Sequence, residues 1–111
     1  MNTITSSIAE ALLELRQSSR MVHLSKNIDA AYHELIHKYD IVFVGEKFNV
    51  INSIELRHTL ANFFNIRIDN TALNQMIPDL CKSLGMTCEP LAELEDLSNP
   101  VPAAFMITLY K

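Results

Sequence analysis

The feature that most constrains this fold is an apolar stripe that recurs at helical spacing in four separate segments. In the clearest segment, 28–39, successive apolar side chains are four, three, one and three positions apart. They are Ile28, Tyr32, Leu35, Ile36 and Tyr39. This spacing predicts one face of an α-helix packed against a core. Asn27 is a favourable N-cap for that helix, and the stripe stops at Asp40.

Two further helices are predicted from cap signals and apolar stripes. Ser7 and Glu10 form a capping box, which predicts that the first helix begins at Ser7, and Ser18 ends its stripe. Another helix is predicted over 54–64, with Ser53 as its cap. Its apolar face contains Leu56, Leu60, Phe63 and Phe64.

The last predicted helix covers 70–84 and contains a proline. Asp69 or Asn70 is its cap, and Gly85 is well placed to end it. The inward-facing residues are Leu73, Met76, Ile77, Leu80 and Leu84. Because this stripe runs straight through Pro78, the pattern predicts a kink and not a break.

Strands are predicted around the helices. Residues 41–44 and 47–50 read as a hairpin joined by a two-residue turn, or alternatively as one extended strand with a bulge at Gly45. Residues 86–89 are a candidate short strand. The nearly continuous apolar run in 104–110 predicts a central, well-covered strand.

Residues 91–102 are acidic and contain proline, and they predict at most one helical turn, through Leu91, Leu94 and Leu97. The fold class expected from all these segments is α+β, with about four helices and a small antiparallel sheet. A chain of 111 residues predicts a single domain over 1–111, in which a helix and connection over 1–26 precede a core over 27–111.

Charge and cysteine content exclude some classes of function. The net charge is −4, and neither half of the chain has a basic surplus, which disfavours phosphate-backbone binding through bulk charge. Cys81 and Cys88 form no Cys-x-x-Cys pair and are expected to be reduced thiols. No signal-like start or long apolar run is present, so we expect a cytoplasmic protein without a membrane partner.

Residues 33–37 read HELIH, which resembles the zinc-peptidase motif. In that resemblance His33 and His37 are zinc ligands and Glu34 acts on the bound water as the base. The chain departs from the family's pattern because Lys38 follows the second histidine. Glu55, the one reasonable third ligand, lies beyond the predicted hairpin. We therefore expect an exposed histidine pair, no metal site, no cofactor and no catalytic residue, with a minimal zinc peptidase as an alternative.

Residues 53–86, SIELRHTLANFFNIRIDNTALNQMIPDLCKSLGM, resemble a helix-turn-helix. The order of predicted elements is similar to that of a winged helix: helix 27–39, strand 47–50, helix 54–64, helix 70–84, and strands 86–89 and 104–110. The resemblance implies a recognition helix that starts near Asn70 and exposes Thr71, Asn74, Gln75 and Lys82. Asn and Gln can read adenine, and Arg67 can contact a phosphate.

Acidic residues count against DNA as the partner. Asp79 offsets Lys82, and the presumed wing contains Glu93, Glu95 and Asp96. Winged-helix domains also bind proteins and dimerise, and bacterial and phage regulators often have this size. We expect a non-enzymatic regulatory or adaptor protein that binds a protein partner and can form a homodimer. Sequence-specific DNA binding through 54–84 is the alternative.

Overall fold

The computed structural model describes residues 3–91 and 104–111. These ranges contain four helices and three strands, so the fold is α+β as predicted. In chain order the elements are α1 (Thr3–Val22), α2 (Ile28–Tyr39), β1 (Val50–Asn52), α3 (Ser53–Asn62), α4 (Asn70–Leu84), β2 (Thr87–Leu91) and β3 (Ala104–Thr108). The helical turn predicted within 91–102 lies outside the described residues beyond Leu91. None of the described helices is long and apolar enough to cross a membrane.

The sheet is antiparallel, with the strand order β1-β3-β2. Ile107 pairs with Ile51 on one side and with Cys88 on the other. β3 is therefore the central strand, which confirms its predicted position. The order of elements and the sheet topology are compatible with a winged-helix-like topology.

One buried cluster connects all four helices with the sheet. α1 contributes Ile8, Leu12 and Leu15, each fully buried, and the centre of β3 contributes Ile107. Burial of an aliphatic side chain of this size stabilises a fold by roughly 1.5–3 kcal/mol. The N-terminal helix is thus part of the same core as the rest of the chain.

The predicted caps of α2 and α4 are confirmed. Asn27 Oδ1 accepts a hydrogen bond from the Ala30 N–H, and Asp69 Oδ1 accepts one from the Ala72 N–H. Asp40 and Gly85, at the opposite ends, both adopt left-handed backbone conformations. α4 continues through Pro78 without a break.

The predicted bounds of α1 are wrong. Ser7 lies inside the helix, which begins four residues earlier and continues past Ser18 to Val22. The two serines at the predicted end have tertiary partners. Ser18 Oγ is 2.9 Å from Tyr39 Oη, and Ser19 Oγ donates to the Phe48 carbonyl. A serine whose hydroxyl bonds elsewhere competes less with the helix backbone, so the helix continues.

The predicted hairpin over 41–50 is also wrong. Its two arms meet only at an isolated bridge between Val44 and Val50, and Phe48 N–H donates to the Gly45 carbonyl within the turn. The carbonyl of Phe43, in the first arm, instead accepts a hydrogen bond of 2.5 Å from Tyr32 Oη. The strand that forms is Val50–Asn52, which begins at the end of the predicted second arm and pairs with β3, so the long-range sheet replaces most of the local hairpin.

The cap and end of α3 differ from the prediction as well. Asn52, not Ser53, caps the helix, because Asn52 Oδ1 accepts from the Ile54 N–H at 2.7 Å. The helix ends at Asn62, two residues earlier than predicted. Phe63 is accordingly 42 % exposed.

Candidate functional site

A groove of about 420 Å³ runs between α1 and α4. It lies on the half-exposed flank of α4, beside the buried stripe of that helix. Its described lining consists of Thr5, Ala9, Ala72, Gln75, Met76, Asp79, Leu80, Ser83 and Leu84. Asp79 is the one charged side chain in that set.

The groove follows from unequal side chains on the two helices. α1 presents the small residues Thr5 and Ala9 where α4 presents Met76, Leu80 and Leu84. Small side chains on one wall leave space that the larger ones do not fill. Met76 and Leu84 therefore remain partly exposed while still packing against the core. The lining of the groove is therefore mostly apolar, with Asp79 as its charged member.

One end of the groove meets a basic cleft. Leu84 lines the groove, and its carbonyl accepts a hydrogen bond of 3.0 Å from Arg16 Nη1. Arg16 also lines a neighbouring cleft of about 250 Å³. The other described residues of this basic cleft are Arg20, Gly85, Thr87, Thr108, Leu109, Tyr110 and Lys111.

Positive charge in the basic cleft is held in place by an aromatic ring. The Arg20 guanidinium carbon lies 5.0 Å from the centroid of the Tyr110 ring. Tyr110 is itself fixed, because its hydroxyl donates to the Lys47 carbonyl at 3.0 Å. The cleft thus gathers three cationic side chains, with Lys111 as the third, and its described lining includes no carboxylate side chain.

This cluster is not among the sites predicted from the sequence. Charge summed over long segments conceals it, because the cluster joins one turn of α1 to Lys111. The available signal was the pair Arg16 and Arg20, four residues apart on one helix face. Nothing in the sequence predicts that Lys111 joins them.

The residues implied for DNA recognition are separated by the structure. Thr71, Gln75 and Lys82 are exposed on α4 as predicted, and Gln75 lines the groove. Asn74 is only 2 % exposed, so its predicted exposure is wrong. Its spacing places it on the side of α4 that faces α3, where Ser53 Oγ donates to it.

Arg67 lies apart from these α4 residues, in a second basic depression. It is exposed and shares this depression with Arg57 and His58 of α3. Arg57 is anchored there, since its Nε donates to the Ile68 carbonyl at 3.2 Å.

The HELIH segment lies on the outer face of α2. His33, Glu34 and His37 are all exposed and line a shallow depression formed by α2 residues. Across residues 3–91 and 104–111, no three His, Cys, Asp or Glu side chains are grouped so that they could hold a metal ion. Glu55 instead influences Tyr32, on the inward-facing stripe of α2. Burial raises the pKa of Tyr32, and the negative charge of Glu55 raises it further.

The two cysteines lie close together, Cys81 on α4 and Cys88 on β2. Burial raises the pKa of the Cys81 thiol to about 12, and the charge of Cys88 and a hydrogen bond with it add to the effect. Both thiols are free. Cys81 is therefore an unreactive thiol of the core at neutral pH.

No protein-family model, curated protein or solved structure matches this chain. The groove, the basic cleft and the residues around them are therefore the basis for assigning a function.

Proposed function

We propose that this chain is a non-enzymatic regulatory or adaptor protein that binds an amphipathic helix of a protein partner in the groove between α1 and α4. The single observation that carries the proposal is the groove itself. It is 420 Å³ in volume and lined by exposed flanks of two helices whose other faces form the core. Helix-in-groove binding uses this kind of surface.

The dimensions and charge of the groove define its occupant. Its α4 wall extends from Ala72 to Leu84, which corresponds to about 18 Å of helix at 1.5 Å per residue. That length accommodates roughly three turns of a partner helix, with apolar side chains at i, i+3 or i+4, and i+7. Asp79 at the groove favours a Lys or Arg on the partner helix.

Several observations argue against α4 as a DNA-reading helix. Gln75 lies in the groove shared with α1, so a 20-residue helix flanks the side of α4 that would have to enter a major groove. Asn74 is committed to the interior. Asp79, on the exposed part of α4, would repel phosphate.

The experiment is site-specific photocrosslinking in the native host. A benzophenone side chain is placed at Gln75 or at Ser83, both in the groove, and at Thr71 as a matched control on the exposed part of α4 outside it. We expect the two groove positions, and not the control, to capture the same protein. Mass spectrometry then identifies the captured segment, and a synthetic peptide of that segment is titrated against the purified chain.

The proposal requires that this peptide be an amphipathic helix and that Ala72→Glu raise its Kd at least tenfold, while Thr71→Glu leaves it unchanged. Equal binding to both variants would refute the groove as the site. If the crosslinked product is instead two copies of this chain, with a mass twice 12.6 kDa, the groove is the interface of a homodimer and not a site for another protein. Salt-dependent binding to random duplex DNA that Gln75→Ala weakens would favour the DNA alternative instead.

A further inference from the structure

We propose that the basic cleft at the end of the groove is a binding site for a dianionic oxyanion of the phosphate class. The two arginines carry the argument. Arg16 and Arg20 are four residues apart on α1 and line the same cleft. Like charges at this spacing destabilise a helix. An anion in the cleft would reduce that repulsion, and the described lining contains no carboxylate side chain that could do so.

Both guanidinium groups are held by contacts that leave donors free. Arg16 uses Nη1 for the Leu84 carbonyl, and its other N–H groups are not committed to a described acceptor. Arg20 rests on the face of Tyr110, which leaves the edge of its planar group available. A guanidinium presents a fork of N–H donors that matches two oxygens of a phosphate. The Thr87 and Thr108 hydroxyls in the same lining supply further donors.

The size of the cleft indicates how large the ligand is. Its volume of about 250 Å³ is below the range of roughly 300–1,000 Å³ found for drug-sized ligands. A single phosphate group fits this description. Two fixed cations are neutralised more completely by a dianion than by a singly charged carboxylate. The pair of arginines therefore favours phosphate over a carboxylate ligand.

The charge of the whole chain makes the inference easy to test. At a net charge of −4, the molecule as a whole repels anions, so saturable phosphate binding has to come from a local cluster. The titration contains no protein partner, so its result does not depend on what binds in the groove. Failure of the crosslinking and failure of the titration are therefore separate results.

The experiment follows backbone amide resonances of the full chain by ¹H–¹⁵N NMR at low ionic strength. Inorganic phosphate and phenyl phosphate are titrated in turn, with acetate at matched ionic strength as the control anion. We expect saturable shifts at Gly85, Thr87 and Thr108, and little response to acetate. Tighter binding of phenyl phosphate would assign the site to a phosphate monoester, and equal binding would assign it to free phosphate.

Substitutions locate the site. Arg16→Gln and Arg20→Gln should each raise the Kd for phosphate at least tenfold. Arg20→Gln leaves the Arg16 contact to Leu84 intact, so its effect does not depend on that structural bond. Arg57→Gln is the matched control, because Arg57 also bonds a backbone carbonyl but lies in the other basic depression. No saturable shift, or an equal loss in Arg57→Gln, would overturn the proposal.

Discussion

Ser53 Oγ donates a hydrogen bond to Asn74 Oδ1 across 3.3 Å, and both side chains are buried. The same oxygen accepts a bond of 2.8 Å from the Phe105 N–H of β3. One hydroxyl therefore ties the start of α3 to α4 and to the central strand. Asn74 is a structural residue in this arrangement.

Removing this hydroxyl should destabilise the fold. Ser53→Ala leaves the Phe105 N–H without this acceptor and Asn74 Oδ1 without this donor inside the core, at a cost of about 1–3 kcal/mol. Urea unfolding of the two proteins measures the difference. Ser83→Ala, at an exposed position on α4, is the matched control and should change stability by less than about 0.5 kcal/mol. Equal effects of the two substitutions would contradict the network.

Stability should fall at alkaline pH because of Cys81. Its pKa is 9.0 in a free thiol and about 12 in the fold, so the unfolded chain loses this proton first. The stabilisation is complete below pH 9 and declines through the interval up to pH 12, by at most about 1.4 kcal/mol per pH unit. Urea unfolding at several values in that interval measures the slope.

The variant Cys81→Ala isolates this contribution, because the raised pKa of Tyr32 acts in the same direction in both proteins. We expect a shallower dependence on pH in Cys81→Ala than in the parent. Cys88→Ala should retain most of the slope, since burial is the larger cause of the Cys81 shift. Identical slopes in all three proteins would show that Cys81 does not titrate as described.

The two glycines should differ in their tolerance of alanine. Both have positive φ, of 90° at Gly45 and 72° at Gly85. A Cβ at Gly85 meets nothing within 4 Å, so Gly85→Ala should cost only the left-handed strain of about 1–2 kcal/mol. A Cβ at Gly45 would lie 2.8 Å from Asn49 Oδ1.

Asn49 is not free to move away, because its Nδ2 donates to the Tyr110 carbonyl. Gly45→Ala should therefore lower the free energy of unfolding by more than Gly85→Ala does. Thermal unfolding of the two variants side by side tests this order. A smaller loss for Gly45→Ala would mean that the turn over 45–48 readily rearranges.

Pro78→Ala should stabilise the protein. Pro78 is exposed within a continuous α4 and lacks the N–H that would bond to the carbonyl four residues earlier. Alanine restores that donor and is the best helix former, so we expect a gain of about 1–2 kcal/mol after the lost rigidity of the unfolded chain is counted. Calorimetry of the variant, beside Lys82→Ala as an exposed control, measures the change. A lower melting temperature for Pro78→Ala would contradict this account.

The sequence predicted those features that depend on neighbouring residues. Asn27 and Asp69 cap helices because each bonds an N–H three residues away, and Gly85 ends α4 because it adopts a left-handed conformation without strain. The apolar run at 104–110 also predicted a central strand from the local sequence alone. A strand that is covered on both faces needs apolar residues at successive positions, and that pattern is visible along the chain.

The failures occurred where a distant residue outcompetes a local partner. Ser53 looks like a cap, yet its hydroxyl oxygen accepts a hydrogen bond from the Phe105 N–H, 52 positions away, and Asn52 caps the helix in its place. The hairpin over 41–50 gives way to pairing with β3, which is more than fifty residues further along the chain.

The candidate sites show the same division. Helical spacing placed Thr71, Gln75 and Lys82 on the exposed part of α4, and it placed the histidines of HELIH on an outer face, because both are properties of one helix. The groove needs small residues of α1 opposite large residues of α4, and the basic cleft needs Arg16 and Arg20 beside Tyr110. Contacts between residues this far apart in the sequence form only when the core brings the elements together. The spacing of residues along the chain therefore does not predict them.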